Sequence, residues 1–305
     1  MSDPWASASG ERPSGWPRGT GLLVVGHGTT DEEGAAECRT VGRMVSELLA
    51  GVPTALCFLE LCEPSIEEGL AMLRRHGCRE VVVAPLLLFA AGHAKRDVPT
   101  AVRTSAAHHG LVAREAGVLG LHEDLVRCSR SRLQEAAREA DRAFMVFVGR
   151  GASDPTACPQ MTEFARLVLA ELGGGDREGS SWEGGEWNVG SVEDRSFGVG
   201  FVAAARPTLD EALEAAARDD LGCTRGFVWP LSGTGARQEG EAARVVVVHP
   251  HLLFKGHVEQ QVAARVERAR LDHPHIDWRV SRRLGADPLV ARAVVGRALE
   301  AVARG

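Results

Sequence analysis

Lysine is almost missing from this chain. Lys95 and Lys255 are the only two among 305 residues, against 33 arginines, and each lies within two residues of a Gly-His pair. Long apolar runs are missing too. No stretch approaches the roughly 18 residues a membrane-spanning helix needs, so no membrane span is expected. Residues 1–20 are rich in Ser, Pro, Gly and Trp and have no apolar centre, which predicts a disordered tail and not a signal peptide. Seven cysteines are present, an odd number, and none forms a Cys-x-x-Cys pair. That spacing argues against a structural zinc site or an iron–sulfur cluster and fits a reduced, cytoplasmic chain with buried thiols. The net charge of −6 gives no general attraction for nucleic acid or acidic membranes.

What is there is a sequence that begins twice. Gly21 to Val25 is a short apolar run closed by Gly26-His27-Gly28-Thr29-Thr30, which reads as a buried strand ending in a tight loop. A helical pattern follows over 31–50, and a strand over 54–59 ends at Glu60. Pro64 is expected to start the next helix. A third strand over 81–84 runs into Pro85, the apolar loop Leu86 to Ala91, and Gly92-His93. A helix over 94–108, a strand over 111–118 and a helix over 121–140 complete the first copy.

Phe144 to Val148 then leads into Gly149-Arg150-Gly151. The strand over 197–204 precedes Arg206-Pro207-Thr208-Leu209, as Glu63-Pro64-Ser65-Ile66 follows the strand over 54–59. Val245 to Val248 leads through Pro250, Leu253 and Phe254 to Gly256-His257. The alternation of strand and helix predicts α/β domains with parallel sheets and helices on both faces. The repeat predicts two tandem, similar domains, each with about four strands: 21–142 and 143–305. The second is expected to carry surface insertions at about 173–196 and 226–243.

In a parallel α/β sheet, ligands bind outside the carboxyl ends of the strands. His27, Glu60 and His93 each follow such an end, and 33 residues separate each from the next. Two imidazoles and a carboxylate suit a borderline divalent ion such as cobalt, iron, nickel or zinc. The second copy offers an internal comparison. It has Arg150 where the first has His27 and Ala203 where the first has Glu60, and only His93 has a like partner, His257. One working metal site in the first copy, with a degenerate second copy completing a cleft, is the expected arrangement.

These residues resemble a known family. Gly26-His27-Gly28-Thr29, Phe58-Leu59-Glu60 with Pro64-Ser65-Ile66, and Pro85 through Gly92-His93 look like the class II chelatases, and most like the long, two-domain sirohydrochlorin chelatases. Gly149 to Pro155 resembles the degenerate repeat of that type. The resemblance implies insertion of Co²⁺ or Fe²⁺ into sirohydrochlorin without ATP, for cobalamin or sirohaem synthesis, with a cleft between the domains. It implies that His27, Glu60 and His93 hold the incoming metal and act in catalysis. Beyond that substrate ion no cofactor is implied.

The partners it implies are the tetrapyrrole and the metal. Lys95, Arg96, Arg150 and Lys255 would pair with the substrate's carboxylates, and His257 would be an accessory at most. The duplication lets one chain form both lobes, which fits a monomer. Two other readings stand beside this one. The first is a cobalt or nickel carrier of the same fold without turnover. The second is a histidine phosphoryl-transfer hydrolase, against which Gly26 stands where that chemistry wants an arginine.

Overall fold

The run Thr20–Gly26 is buried along its whole length because it forms the interior strand of a sheet covered on both faces. The structure, a computed structural model, describes residues 11–89, 97–140, 142–152, 157–173, 197–218, 227–228 and 244–304. The element order is β1 (Thr20–Gly26), α1 (Glu32–Leu48), β2 (Thr54–Phe58), α2 (Ile66–Arg75), β3 (Glu80–Pro85), α3 (Asp97–His108), β4 (Val112–Glu115) and α4 (Glu123–Ala136). Then come β5 (Arg142–Gly149), α5 (Ala157–Gly173), β6 (Phe197–Phe201), α6 (Leu209–Arg218), β7 (Phe227–Val228), β8 (Arg244–Pro250), α7 (His257–Asp272), β9 (Ile276–Val280) and α8 (Pro288–Ala303).

Two sheets result. The first has the order β2-β1-β3-β4 and the second β6-β5-β8-β9, with all neighbours in each path parallel. The expected pair of four-stranded parallel sheets is therefore present. The two-residue β7 adds an antiparallel pairing to β5 at Arg142 and Ala143; it falls inside the segment expected as an insertion. Residue 173 ends α5, and the rest of the expected insertions, 174–196, 226 and 229–243, lies outside the described residues.

The expected tail is corrected over residues 11–20. Trp16 is 4% exposed, and its indole N–H donates to the carbonyl of Thr20 at 2.9 Å. An aromatic ring buried against the first strand holds this segment to the fold.

The expectation that Pro64 starts α2 is also corrected. Ser65 is the N-cap, and its hydroxyl and the Glu68 carboxylate form a reciprocal capping box across the first turn. Pro64 lies outside the helix and follows a cis Glu63-Pro64 bond, matched by a cis Arg206-Pro207 bond in the second copy. Its carbonyl accepts from Phe58 N–H at 2.8 Å. At α1 the start is as expected, with Asp31 accepting from Gly34 N–H at 2.9 Å.

The chain forms two compact units, and they interleave along the sequence. One comprises Met1–Leu125, Leu253–Gly256 and Leu284–Gly305, and the other Val126–Leu252 and His257–Arg283. The expected boundary at 142/143 compares with this exchange: most of α4 belongs to the second unit and α8 to the first. Helix α8 buries Val290, Ala291, Val294, Ala298 and Ala301, and it packs on β3 and α1. Arg114 of β4 donates to its last carbonyls, Ala301 and Val302, at 3.4 Å each.

Candidate metal centre

Strand β1 lies between β2 and β3, and the chain reverses its direction of travel across the sheet there. That is the switch point at which the carboxyl ends of parallel strands leave an open crevice. Gly26 pairs with Phe58 and Val25 with Pro85, so the three strands end within a residue of one another. His27 follows directly on the first of these ends, and Glu60 lies two residues past the second.

Backbone hydrogen bonds continue the β1–β2 ladder past both strands. Leu59 N–H donates to Gly26 O at 2.9 Å and Glu60 N–H to His27 O at 3.1 Å. Gly28 has φ +98°, and a β-carbon there would lie 1.7 Å from the Glu60 carbonyl oxygen. Only glycine permits that approach. Beyond it, the Cys62 thiol donates to Thr29 O at 3.2 Å and accepts from Thr29 N–H at 3.5 Å. The two loops are thus joined residue by residue.

His27 Nδ1 lies 3.4 Å from Glu60 Oε1, and the side chains are 44% and 55% exposed. Two ligands on one divalent ion, with bonds of about 2.1 Å, sit about 3.0–3.4 Å apart at cis octahedral to tetrahedral angles. The observed separation fits a pair that shares one ion with little movement. Two protein donors on an exposed edge leave coordination positions open to substrate.

His93, Lys95 and Arg96 lie outside the described residues. Among the described residues no group of three or more His, Cys, Asp and Glu side chains gathers as a metal cage. The strand that leads to His93 is placed: Leu86 N–H donates to Val25 O at 2.8 Å, so this segment leaves the sheet beside β1.

The other expected residues are distributed as follows. Lys255 belongs to the first unit. Its backbone N–H donates to Glu37 Oε2 at 2.9 Å, and its ammonium pairs with Glu33, both on α1. Arg150 and His257 belong to the second unit. Arg150 is exposed after β5, and His257 opens α7 with its Nε2 2.8 Å from Gln261 Nε2.

The second copy repeats the loop geometry without the donors. Ala203 N–H donates to Arg150 O at 2.9 Å, and Gly151 (φ +86°) would place a β-carbon 1.8 Å from Ala203 O. The pairing of His27 with Arg150 and of Glu60 with Ala203 is therefore a structural equivalence. Sequence reasoning missed Cys62 and Thr29, which are separated by the same 33 residues as His27 and Glu60. It also missed Leu61, whose φ of +62° carries no sequence mark. Of the thiols, Cys38 and Cys57 are buried as expected, and desolvation pushes Cys38 up to about 12 and Cys57 up as well.

A doubly wound sheet with an exposed His–Glu pair at its switch point defines the class, an α/β protein whose strand ends are open where such sheets take ligands. The chain belongs to the CbiX family, whose model matches residues 21–136 and 230–301. A sirohydrochlorin cobaltochelatase from Priestia megaterium is 26% identical over 284 residues, covering 92% of this chain and 79% of that protein. A sirohydrochlorin ferrochelatase from Bacillus subtilis is 25% identical over 283 residues, covering 92% of each. The solved structure of SirB from Bacillus subtilis with Fe3+ superposes with a TM-score of 0.70 at 23% identity, over 93% of this chain and 96% of that one, which shows a shared fold.

Proposed function

We propose that the chain is a sirohydrochlorin chelatase that inserts Co²⁺ or Fe²⁺ into the metal-free tetrapyrrole. The observation that carries this reading is the His27–Glu60 pair, 3.4 Å apart and open to solvent at the switch point of the first sheet, within the family-matched residues 21–136. The relatives' activities support the substrate, and the geometry supports the role of the pair.

The reaction exchanges two pyrrole N–H protons for one divalent ion. In this reading His27 and Glu60, with His93, take the hydrated ion and replace part of its water. Incomplete coordination suits the task, because a closed cage would retain the ion. As the macrocycle nitrogens bind, the imidazole and carboxylate leave the metal and become free to accept the displaced protons, which the exposed Glu60 passes to solvent. Arg150, Lys95, Arg96 and Lys255 would attract the carboxylates on the macrocycle rim, with His257 at most an accessory. Lys255 would exchange Glu33 for a substrate carboxylate to do so.

The test is the absorbance change of sirohydrochlorin mixed anaerobically with Co²⁺ or Fe²⁺, with and without the purified protein. The expected result is a catalysed rate that disappears in His27→Ala and in His93→Ala while both variants remain folded. A protein that binds metal but gives no acceleration would be a carrier and would overturn the reading. Parallel titrations of the two ions rank them by kcat/KM.

A further inference from the structure

Glu60 is followed by a residue that the fold alone does not explain. Leu61 has φ +62°, the left-handed region that a branched side chain disfavours, and it is 64% exposed. The backbone conformation belongs to the fold, because the second copy has φ +54° at the equivalent Ala204. The leucine does not belong to the fold. At that position the second copy has only a methyl group, just as it has Arg150 and Ala203 in place of the donor pair. An exposed leucine is ordinary by itself, and Leu48, Val112 and Leu271 are exposed as well; Leu61 alone of these joins exposure to a disfavoured backbone conformation, in the half that carries the donors, and that combination points to a ligand.

The loop also fixes where the leucine sits. Glu60 N–H is bonded to His27 O, Gly28 packs on the Glu60 carbonyl, and Cys62 N–H donates to Glu60 O at 2.8 Å. Leu61 is therefore held within one residue of the Glu60 donor. Across β1, the β3 side of the same edge carries the partly buried Leu87, Leu88 and Phe89. The carbonyls of Leu87 and Leu88 accept from Leu119 and Gly120 N–H at 2.9 and 2.7 Å, which secures that loop as well. The donor pair thus has apolar residues on either side.

We infer that Leu61 is a substrate-binding residue that packs against the flat apolar face of the macrocycle and seats its nitrogens over the His27–Glu60 pair. This rests on the chelatase reading for the identity of the macrocycle. A flat aromatic ligand with a charged rim is the chemistry that an isolated leucine beside two metal donors would recognise: the face takes the leucine and the centre takes the ion.

Leu61→Gly separates this role from folding, because glycine suits the left-handed backbone better than leucine does. Wild type, Leu61→Gly and Leu61→Ala are compared for thermal midpoint, for KM towards sirohydrochlorin and Co²⁺, and for equilibrium binding of metal-free sirohydrochlorin by absorbance titration. For Leu61→Gly the expected thermal midpoint equals or exceeds that of wild type. The expected KM and Kd for sirohydrochlorin rise about five- to tenfold in both variants, the effect of losing part of one buried leucine contact, and KM for Co²⁺ stays within twofold. A sirohydrochlorin Kd within twofold of wild type overturns the inference, as does an equal rise in both KM values. If wild type inserts no metal, the chelatase reading fails, and the Kd comparison still decides the role of Leu61. A wild type that does not bind sirohydrochlorin ends both.

Discussion

A β-carbon on Gly28 would lie 1.7 Å from the carbonyl oxygen of Glu60. The loop that carries His27 therefore reaches the loop that carries Glu60 only with glycine at this position. Gly28→Ala combines that clash with a φ of +98°, and it should destabilise the protein by about 2–4 kcal/mol and separate the donor pair. Gly151→Ala is the matched comparison, with its β-carbon 1.8 Å from Ala203 O at φ +86°. Urea midpoints of the two variants should fall by similar amounts. An unchanged midpoint for Gly28→Ala would mean that the loops are not held together as described.

His27 and Glu60 contribute little to the fold through their side chains, since both are about half exposed and the loops are joined through backbone atoms. Glu60→Gln and His27→Ala should each shift the thermal midpoint by no more than about 2 °C, as surface substitutions do. Each should lower kcat/KM for metal insertion by about a hundredfold or more. If the two share one ion as proposed, the double variant should be hardly worse than either single one, because ligands of one ion act as a unit. Additive losses in the double variant would assign them separate tasks.

The meeting of His27 and Glu60 was legible because strand ends are marked in the sequence. Gly26-His27-Gly28 closes β1, and Glu60 follows β2 in near register, so the sheet geometry alone brought the two together. The internal repeat was legible for a related reason: glycines at φ +98° and +86°, and the prolines after β2 and β6, stand at equivalent places. The exchange of α4 and α8 was not. The small apolar stripe of Val290, Ala291, Val294 and Ala298 specifies a buried face but not which sheet covers it. Leu61 was also invisible, because a positive φ in a leucine depends on the surrounding loop and not on the residue. The start of α2 could have been read from Ser65 and Glu68, a capping-box pair three residues apart, and Pro64 drew attention away from it.

Two acidic residues of α1 hold the Lys255 segment by different means, and their energies should differ. Glu33 pairs with the Lys255 ammonium in an exposed ion pair, of a kind that contributes about 0–1 kcal/mol and weakens with salt. Glu37 accepts the Lys255 backbone N–H at 2.9 Å, a charge-assisted bond to a group the fold must satisfy. Glu33→Gln should leave the urea midpoint nearly unchanged. Glu37→Ala should lower stability by about 1–3 kcal/mol, with little dependence on salt. Equal effects of the two substitutions would show that the ammonium and not the backbone anchors this segment.

Acid stability depends in part on the core of the second unit. His249 is fully buried, with Nδ1 2.7 Å from Ser281 Oγ and Nε2 3.0 Å from Ser129 Oγ, and it packs near Phe147 and His251. Desolvation, with a smaller effect of Arg132, lowers its pKa from 6.5 to about 3. Burial likewise lowers His251 well below its ordinary value. A histidine whose folded pKa is depressed is neutral in the native state and takes up a proton on unfolding. Its contribution is full above about pH 6.5 and is lost as the pH falls towards about 3. In that window each such histidine adds a slope of up to about 1.4 kcal/mol per pH unit. The carboxylates with lowered values, among them Glu135 and Glu214, start from 4.5 and act mainly below about pH 5.5. Between about pH 5.5 and 6.5 the slope therefore reports histidines held neutral by the fold, to which His122 of the first unit, lowered by burial and by Arg297, adds. His249→Asn should be less stable at pH 7.5 and lose less on acidification, so that its urea midpoints converge on those of wild type towards pH 4.5. Parallel curves would show that His249 is not held neutral by the fold.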